Sequence, residues 1–121
     1  MLERHKVALA TNGSGDATGY TPATRGLVQA VFYDFVDMSA GVMTITEEDT
    51  GHAILALATM PVVDTLYLPR AKAQDGLGAD LTYDGSHLVN DRVPVQGRVK
   101  VVVASGGATK TGNVYVYVAV S

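Results

Sequence analysis

Hydrophobic and polar positions alternate most regularly near the C-terminal end of the chain. Valine occupies every second position from 114 to 120, and Tyr115, Tyr117 and Ala119 fill the positions between them. Because successive side chains of a strand point to opposite faces, this pattern predicts a strand with a valine face and a tyrosine face. Residues 98–103 alternate in the same way, and small, turn-forming residues fill the connection 105–113. An antiparallel hairpin is therefore expected here.

Further segments rich in β-branched, aromatic or aliphatic residues are separated by turn signals such as Asn12-Gly13. Residues 52–60 are rich in alanine and leucine and could form two helical turns, but Pro61 limits their length, and a strand is the interpretation adopted. Residues 73–84 are predicted to form a long loop. The predicted strands are 6–11, 26–36, 42–46, 52–60 and 62–68, with short pairing segments at 81–83 and 87–89.

Seven to nine short strands with turns between them, in a chain of 121 residues, predict an all-β fold. The expected architecture is an antiparallel β-sandwich or jelly roll that spans residues 1–121 as a single domain. One layer cannot bury so many valines and leucines, so two sheets are expected to face each other.

The composition favours a protein that contacts partners. Charged residues make up 17% of the chain, against roughly 25% in an average soluble domain. A surface of threonine, serine and glycine would explain the same number without any partner. Cysteine is absent, which excludes disulfides and thiolate metal sites.

The charge is unevenly spread along the chain. The net charge is −3, yet Arg92, Arg98, Lys100 and Lys110 occur in a stretch that holds no acid. This part of the chain could present a basic stripe to an acidic partner. No dense basic patch is combined with stacking aromatics, so a nucleic-acid partner is not expected.

The sequence does not predict association with a membrane. The longest apolar stretch, 53–63, contains Thr59 and Pro61 and falls well short of the ~20 residues of a membrane-spanning helix. The charged start of the chain does not match a signal peptide. A soluble protein is expected.

The sequence predicts no enzyme, metal site or cofactor. His5, His52 and His87 lack the paired spacing of metal ligands, and the Asp/Gly-rich residues 75–80 lack the spacing of an EF-hand. The glycines and lysine of 106–111 lack the order of a phosphate-binding loop, and no serine lies in a Gly-x-Ser-x-Gly setting.

Several segments resemble a group of short proteins from the structural gene clusters of tailed bacteriophages and prophages. The resemblance covers most of the chain and rests on turn-and-strand motifs; residues 52–60 depart from it most. The segments that carry it are 3–7, 17–22, 41–47, Pro69-Arg70, 97–103, Gly106-Gly107 and 110–112.

The resemblance implies a virion structural protein, and size and β content fit a capsid decoration, or cement, protein best. Such a protein would be made in the host bacterial cytoplasm, bind the outside of the major capsid protein shell as a homo-oligomer, and stabilise the shell. Strand faces with little charge and an N-terminal arm, residues 1–6, are expected to make the contact, and an unpaired edge strand could extend a sheet of the partner. The expected interface residues are Leu2, Arg4, His5, Lys6, Arg98, Lys100, Tyr115 and Tyr117.

Two alternatives remain open. A head-to-tail connector or tail subunit would have the same composition. A carbohydrate-binding module would need exposed aromatics to stack on sugar rings, and in the absence of tryptophan these would be tyrosines. The candidates are Tyr67, Tyr83, Tyr115 and Tyr117.

Overall fold

A computed structural model describes residues 1–74, 76–82 and 90–120, which contain eleven strands and no helix. The predicted all-β class is confirmed. The strands are β1 (Leu2–Ala10), β2 (Ala17–Tyr20), β3 (Thr24–Phe35), β4 (Val42–Glu47), β5 (Ala53–Leu57), β6 (Thr65–Tyr67), β7 (Ala71–Lys72), β8 (Asn90–Asp91), β9 (Val93–Gly97), β10 (Val99–Ala104) and β11 (Thr111–Val120).

Two antiparallel sheets build a sandwich-like fold. The first sheet has the order β1-β11-β3-β6, and β9 pairs with a second stretch of β3 beyond the end of β6. The second sheet has the order β2-β10-β4-β5, and β7 and β8 form a small separate ribbon. The predicted arrangement of two facing sheets is confirmed.

The core lies between the inner faces of the two sheets. The predicted valine face of β11 contributes Val114, Val116 and Val118, all fully buried. The alternating valines of β10 lie in the same core from the opposite sheet, and β3 and β4 add larger side chains such as Tyr33 and Ile45. The alternation therefore identified the inner face of both central strands correctly.

The predicted hairpin between the last two long strands is wrong. β10 pairs with β2 and β4, whereas β11 pairs with β1 and β3, so the connection carries the chain from one sheet to the other. Ser105, Gly107 and Thr109 have φ angles of 59°, 88° and 56°, which bend the chain sharply at this corner. The Thr11 hydroxyl holds the corner, since it donates to the Gly107 carbonyl at 2.5 Å and accepts the Lys110 N–H at 2.7 Å.

The expected N-terminal arm is not free. β1 begins at Leu2 and pairs with β11 along its whole length, from Leu2 opposite Ala119 to Ala10 opposite Thr111. The backbone N–H of Val120 also donates to the Met1 carbonyl at 2.7 Å. Ladder hydrogen bonds with the long β11 hold the first residues in place, so residues 2–6 are part of the sheet.

The structure confirms some of the other predicted strands and contains strands that the sequence did not predict. The segment 52–60 contains a strand, β5, but only over Ala53–Leu57, and residues 62–68 contain the short β6. The sequence did not reveal β2 and β9, because β2 has only four residues and β9 contains Pro94, which edge strands tolerate. The short strand predicted at 87–89 lies outside the described residues, as does position 83 of the pairing segment at 81–83.

Candidate functional site

The outer face of the first sheet is largely apolar. Cross-strand pairing places Lys6, Tyr115, Phe32 and Leu66 in one row, because each is the register partner of the next. The adjacent row consists of Arg4, Tyr117 and Ala30. We call this surface the aromatic face and define it by Leu2, Arg4, Lys6, Ala30, Phe32, Leu66, Tyr115 and Tyr117.

A groove of about 400 Å³ crosses the aromatic face. Its floor is low at Ala30 because this small side chain lies among larger neighbours. A β-bulge places Gln29 without a register partner on β11, so its side chain also reaches the groove. Leu2 and Leu66 are 57% and 58% exposed, and aliphatic side chains in the core are far less exposed. The lining residues are Leu2, Gln29, Ala30, Phe32, Leu66 and Tyr117.

Cationic side chains border the groove on two sides. On the β1 side, the Arg4 guanidinium lies 5.1 Å from the centre of the Tyr115 ring. On the opposite side, Nη1 of Arg92 donates to Oε1 of Gln29 at 2.8 Å, and Nη1 of Arg70 donates to the Gln29 carbonyl at 3.2 Å. Within the described part of the chain, none of these three guanidiniums is paired with a carboxylate.

Carboxylates near the aromatic face are engaged by other groups. Asp34 lies one row beyond Phe32, where its carboxylate accepts the side-chain amide of Asn113 at 3.2 Å. Asp91 accepts the backbone N–H of Arg92 at 2.7 Å. Among the described residues, three guanidiniums border the groove, and these two carboxylates accept hydrogen bonds from groups other than those guanidiniums.

The structure brings together five of the eight residues that the sequence predicted for an interface. Leu2, Arg4, Lys6, Tyr115 and Tyr117 all belong to the aromatic face. The remaining face residues escaped sequence reasoning because they reach this surface through strand pairing. Ala30 and Phe32 lie in the segment predicted as a strand over 26–36, and Leu66 lies in the one predicted over 62–68, but a strand prediction does not say which strands are neighbours.

His5 points to the other side of β1 from this group. It alternates with Arg4 and Lys6, so its side chain faces inward and is only 15% exposed. Nε2 of His5 lies 3.2 Å from a carboxylate oxygen of Glu3, although the angles do not form a hydrogen bond. An inward side chain of this kind is not available to a partner on the aromatic face.

Arg98 and Lys100 lie on the second sheet, away from the aromatic face. Arg98 donates from Nε to Oε1 of Glu48 at 2.8 Å and from Nη2 to Oε2, and it lies 4.1 Å from the centre of the Tyr20 ring. These hydrogen bonds lower the pKa of Glu48 and raise that of Arg98. The basic residues of the C-terminal half therefore do not form one stripe.

A second, polar cleft of about 770 Å³ lies at one end of the sandwich. Its buried carboxylate, Glu47, accepts the backbone N–H of Gln96 at 3.2 Å and lies 3.7 Å from Nε2 of His52. The same Nε2 lies 2.9 Å from the Pro94 carbonyl, which can only accept, so this nitrogen carries the proton. These contacts connect the β4–β5 turn with β9 and give the cluster a structural role.

Two other features are absent from the described residues. No group of three or more histidine, aspartate or glutamate side chains is arranged to hold a metal ion there. The same part of the chain contains no helix long and apolar enough to cross a membrane.

Of the three tyrosines considered for sugar binding that the structure describes, Tyr115 and Tyr117 lie on an outer face. Tyr67 packs against the core, and Tyr83 lies outside the described residues. Comparison with protein-family models found no match for the sequence, and comparison with curated proteins found none either.

Proposed function

We propose that this protein is a capsid decoration protein of a tailed bacteriophage, which binds the outside of the major capsid shell through the aromatic face and stabilises the shell. The observation that carries the proposal is an exposed apolar groove on an ordered sheet. The resemblance to short phage structural proteins is the reason for proposing the major capsid protein as the partner.

The aromatic face has the character of a protein-binding surface. Aromatic residues and arginine are enriched in the centres of such interfaces. Leu2 and Leu66 are each more than half exposed, and burying them against a partner would stabilise a complex by roughly 1 kcal/mol each. The surface belongs to four paired strands, so little backbone ordering is required on binding.

Weak individual contacts suffice for such a role. A shell presents the same binding position many times, and a protein that bridges neighbouring capsid subunits gains from every additional contact. The protein is therefore expected to act as a structural component without catalysis. Its site of action is the outer surface of the virion.

The decisive experiment mixes the purified protein with undecorated heads assembled from the major capsid protein of the same gene cluster. Co-sedimentation with the heads and a higher temperature of head disruption are expected. The variant Leu66→Glu should reduce co-sedimentation at least about tenfold, because it places a charge on the apolar lining of the groove. Val42→Glu is the matched control, since Val42 is 43% exposed on the second sheet. Failure of the unaltered protein to bind heads would refute the proposal.

A head-to-tail connector or tail subunit would use the same surface, and the number and position of copies distinguish it. Electron microscopy of particles should show density distributed over the shell for a decoration protein. A single ring at the tail vertex would identify a connector instead.

One observation favours carbohydrate binding as a second candidate. Phe32 and Tyr117 line the groove, and aromatic rings on an exposed surface can stack on sugars. A glycan array is the direct test. Binding of a glycan that is lost in Tyr117→Ala would replace the capsid proposal.

A further inference from the structure

The border of the aromatic face limits the chemistry of what can bind there. Arg4 lies on one side of the groove, and Arg70 and Arg92 lie on the other, so cations border the apolar floor across its width. A partner that buries the floor must also approach these guanidiniums. A basic or purely apolar partner would leave them unpaired or repelled, at a cost in free energy.

Gln29 fixes the position of the charges on the far side. Its carbonyl accepts from Arg70 and its side-chain oxygen accepts from Arg92, so one residue of the bulge holds two guanidiniums beside the groove. Each guanidinium has five N–H donors, and these contacts occupy only some of them. No carboxylate of the described residues pairs with these guanidiniums, and the planar guanidinium is the side chain best matched to a carboxylate.

The size of the groove limits its occupant further. About 400 Å³ above Ala30, between the Phe32 and Tyr117 side chains, is room for one or two apolar side chains and too little for a helix. In an extended segment that inserts one side chain, the side chains two positions before and two positions after it point to the same side of the segment, because successive side chains alternate. These side chains would lie toward the two borders of the groove.

We propose that the groove binds an extended segment of the partner protein in which an apolar side chain is flanked by carboxylates. The apolar side chain occupies the space above Ala30, and the carboxylates pair with Arg4 on one side and with Arg70 and Arg92 on the other. The inference deepens the proposed function and rests on it only in taking the partner to be a protein.

The test uses the ¹⁵N-labelled protein and three synthetic pentapeptides with blocked ends. The first has a central leucine between pairs of glutamates, the second replaces the glutamates with lysines, and the third replaces the leucine with glycine. At millimolar concentration the first peptide should shift the amide signals of residues 29–32 and 117. Its Kd should be at least about tenfold lower than that of either other peptide.

Charge-reversal variants assign the contact. Arg92→Glu should weaken binding of the acidic peptide about fivefold. If that variant folds poorly, Arg4→Glu, on the opposite border, takes its place, and the same weakening is expected. Lys100→Glu is the control, because it makes the same charge change on the second sheet and should leave Kd unchanged. Equal affinity for the lysine peptide, shifts confined to the second sheet, or no shift at all would overturn the inference.

The peptide and head experiments can fail independently. If the peptide binds and the heads do not, the inference about an acidic and apolar partner segment stands, and the proposal that the partner is the capsid is refuted. Head binding that survives Leu66→Glu and Arg92→Glu would place the capsid contact on another surface.

Discussion

Tyr33 shows how a single buried group can work against the fold it belongs to. Its ring is 1% exposed in the core beside Gly112 and Met38, and its hydroxyl has no hydrogen-bond partner among the described residues. Burial raises the pKa of Tyr33, because the phenolate would lose its water, and the nearby charge of Asp37 raises it further.

Replacing Tyr33 with phenylalanine should therefore leave the free energy of unfolding at neutral pH unchanged or raise it by up to about 1 kcal/mol. Since the folded-state pKa lies above the unfolded value, the protein loses stability as pH rises through that folded-state pKa, and Tyr33→Phe should remove this loss. Urea denaturation at pH 7 and above pH 10 measures both effects. Tyr117→Phe on the outer face is the control; a clear loss of stability in Tyr33→Phe at pH 7 would mean that the hydroxyl has a partner.

The pair formed by Glu48 and Arg98 makes a second prediction at the scale of residues. Hydrogen bonds from Arg98 lower the pKa of Glu48, so the pair contributes stability above the ordinary pKa of a glutamate and loses it as pH falls through the lowered value. Both side chains are partly exposed, which makes the contribution small.

In Arg98→Gln the pKa of Glu48 should return toward its ordinary value, as measured by NMR titration of the side-chain carboxyl carbon. Arg4→Gln, on the other sheet, should not change it. An unaltered titration in Arg98→Gln would show that another group holds the pKa down.

At the scale of elements, the corner between β10 and β11 is the connection that sequence reasoning misjudged. Glycine, serine and threonine suit a hairpin turn and a corner equally well, so the local sequence does not distinguish them. Distant residues decide the outcome, because Thr11 bonds the corner and the backbone N–H of Gly106 donates to the Gly15 carbonyl at 2.8 Å.

The left-handed conformation of Thr109 means that a substitution at this corner can raise the free energy of unfolding. A β-branched residue at a φ of 56° is strained, and glycine is not. Thr109→Gly should raise the free energy of unfolding by about 0.5–1 kcal/mol, measured by chemical denaturation. Thr111→Gly, at the first residue of β11, should lower it instead, because glycine weakens a strand. A loss of stability in Thr109→Gly would show that the side chain makes contacts that outweigh the strain.

The same limit explains how much of the whole molecule the sequence could predict. Alternation assigned the inner faces of β10 and β11 and placed Tyr115 and Tyr117 outside, because side-chain direction in a strand is a local property. Which strands are neighbours is not local, so Ala30 and Leu66 could not be assigned to the aromatic face. The bulge that brings Gln29, and with it Arg70 and Arg92, to the groove is equally invisible in the sequence.

The pairing of the first strand with the last determines how the molecule responds to a pulling force. Met1 and Val120 lie side by side, and the two strands run antiparallel from there. Force applied through these residues therefore separates the ladder one pair at a time, like a zipper. Force applied through Ala10 and Val120 would instead load the whole nine-pair ladder in shear.

Single-molecule force spectroscopy should find the first geometry several times weaker than the second, although the fold and its thermodynamic stability are the same. Equal rupture forces would show that β1 is not the element that yields first. A protein of this topology can resist a high force when it is attached to a surface through one sheet face. The same protein unfolds at a low force when it is pulled by its first and last strands.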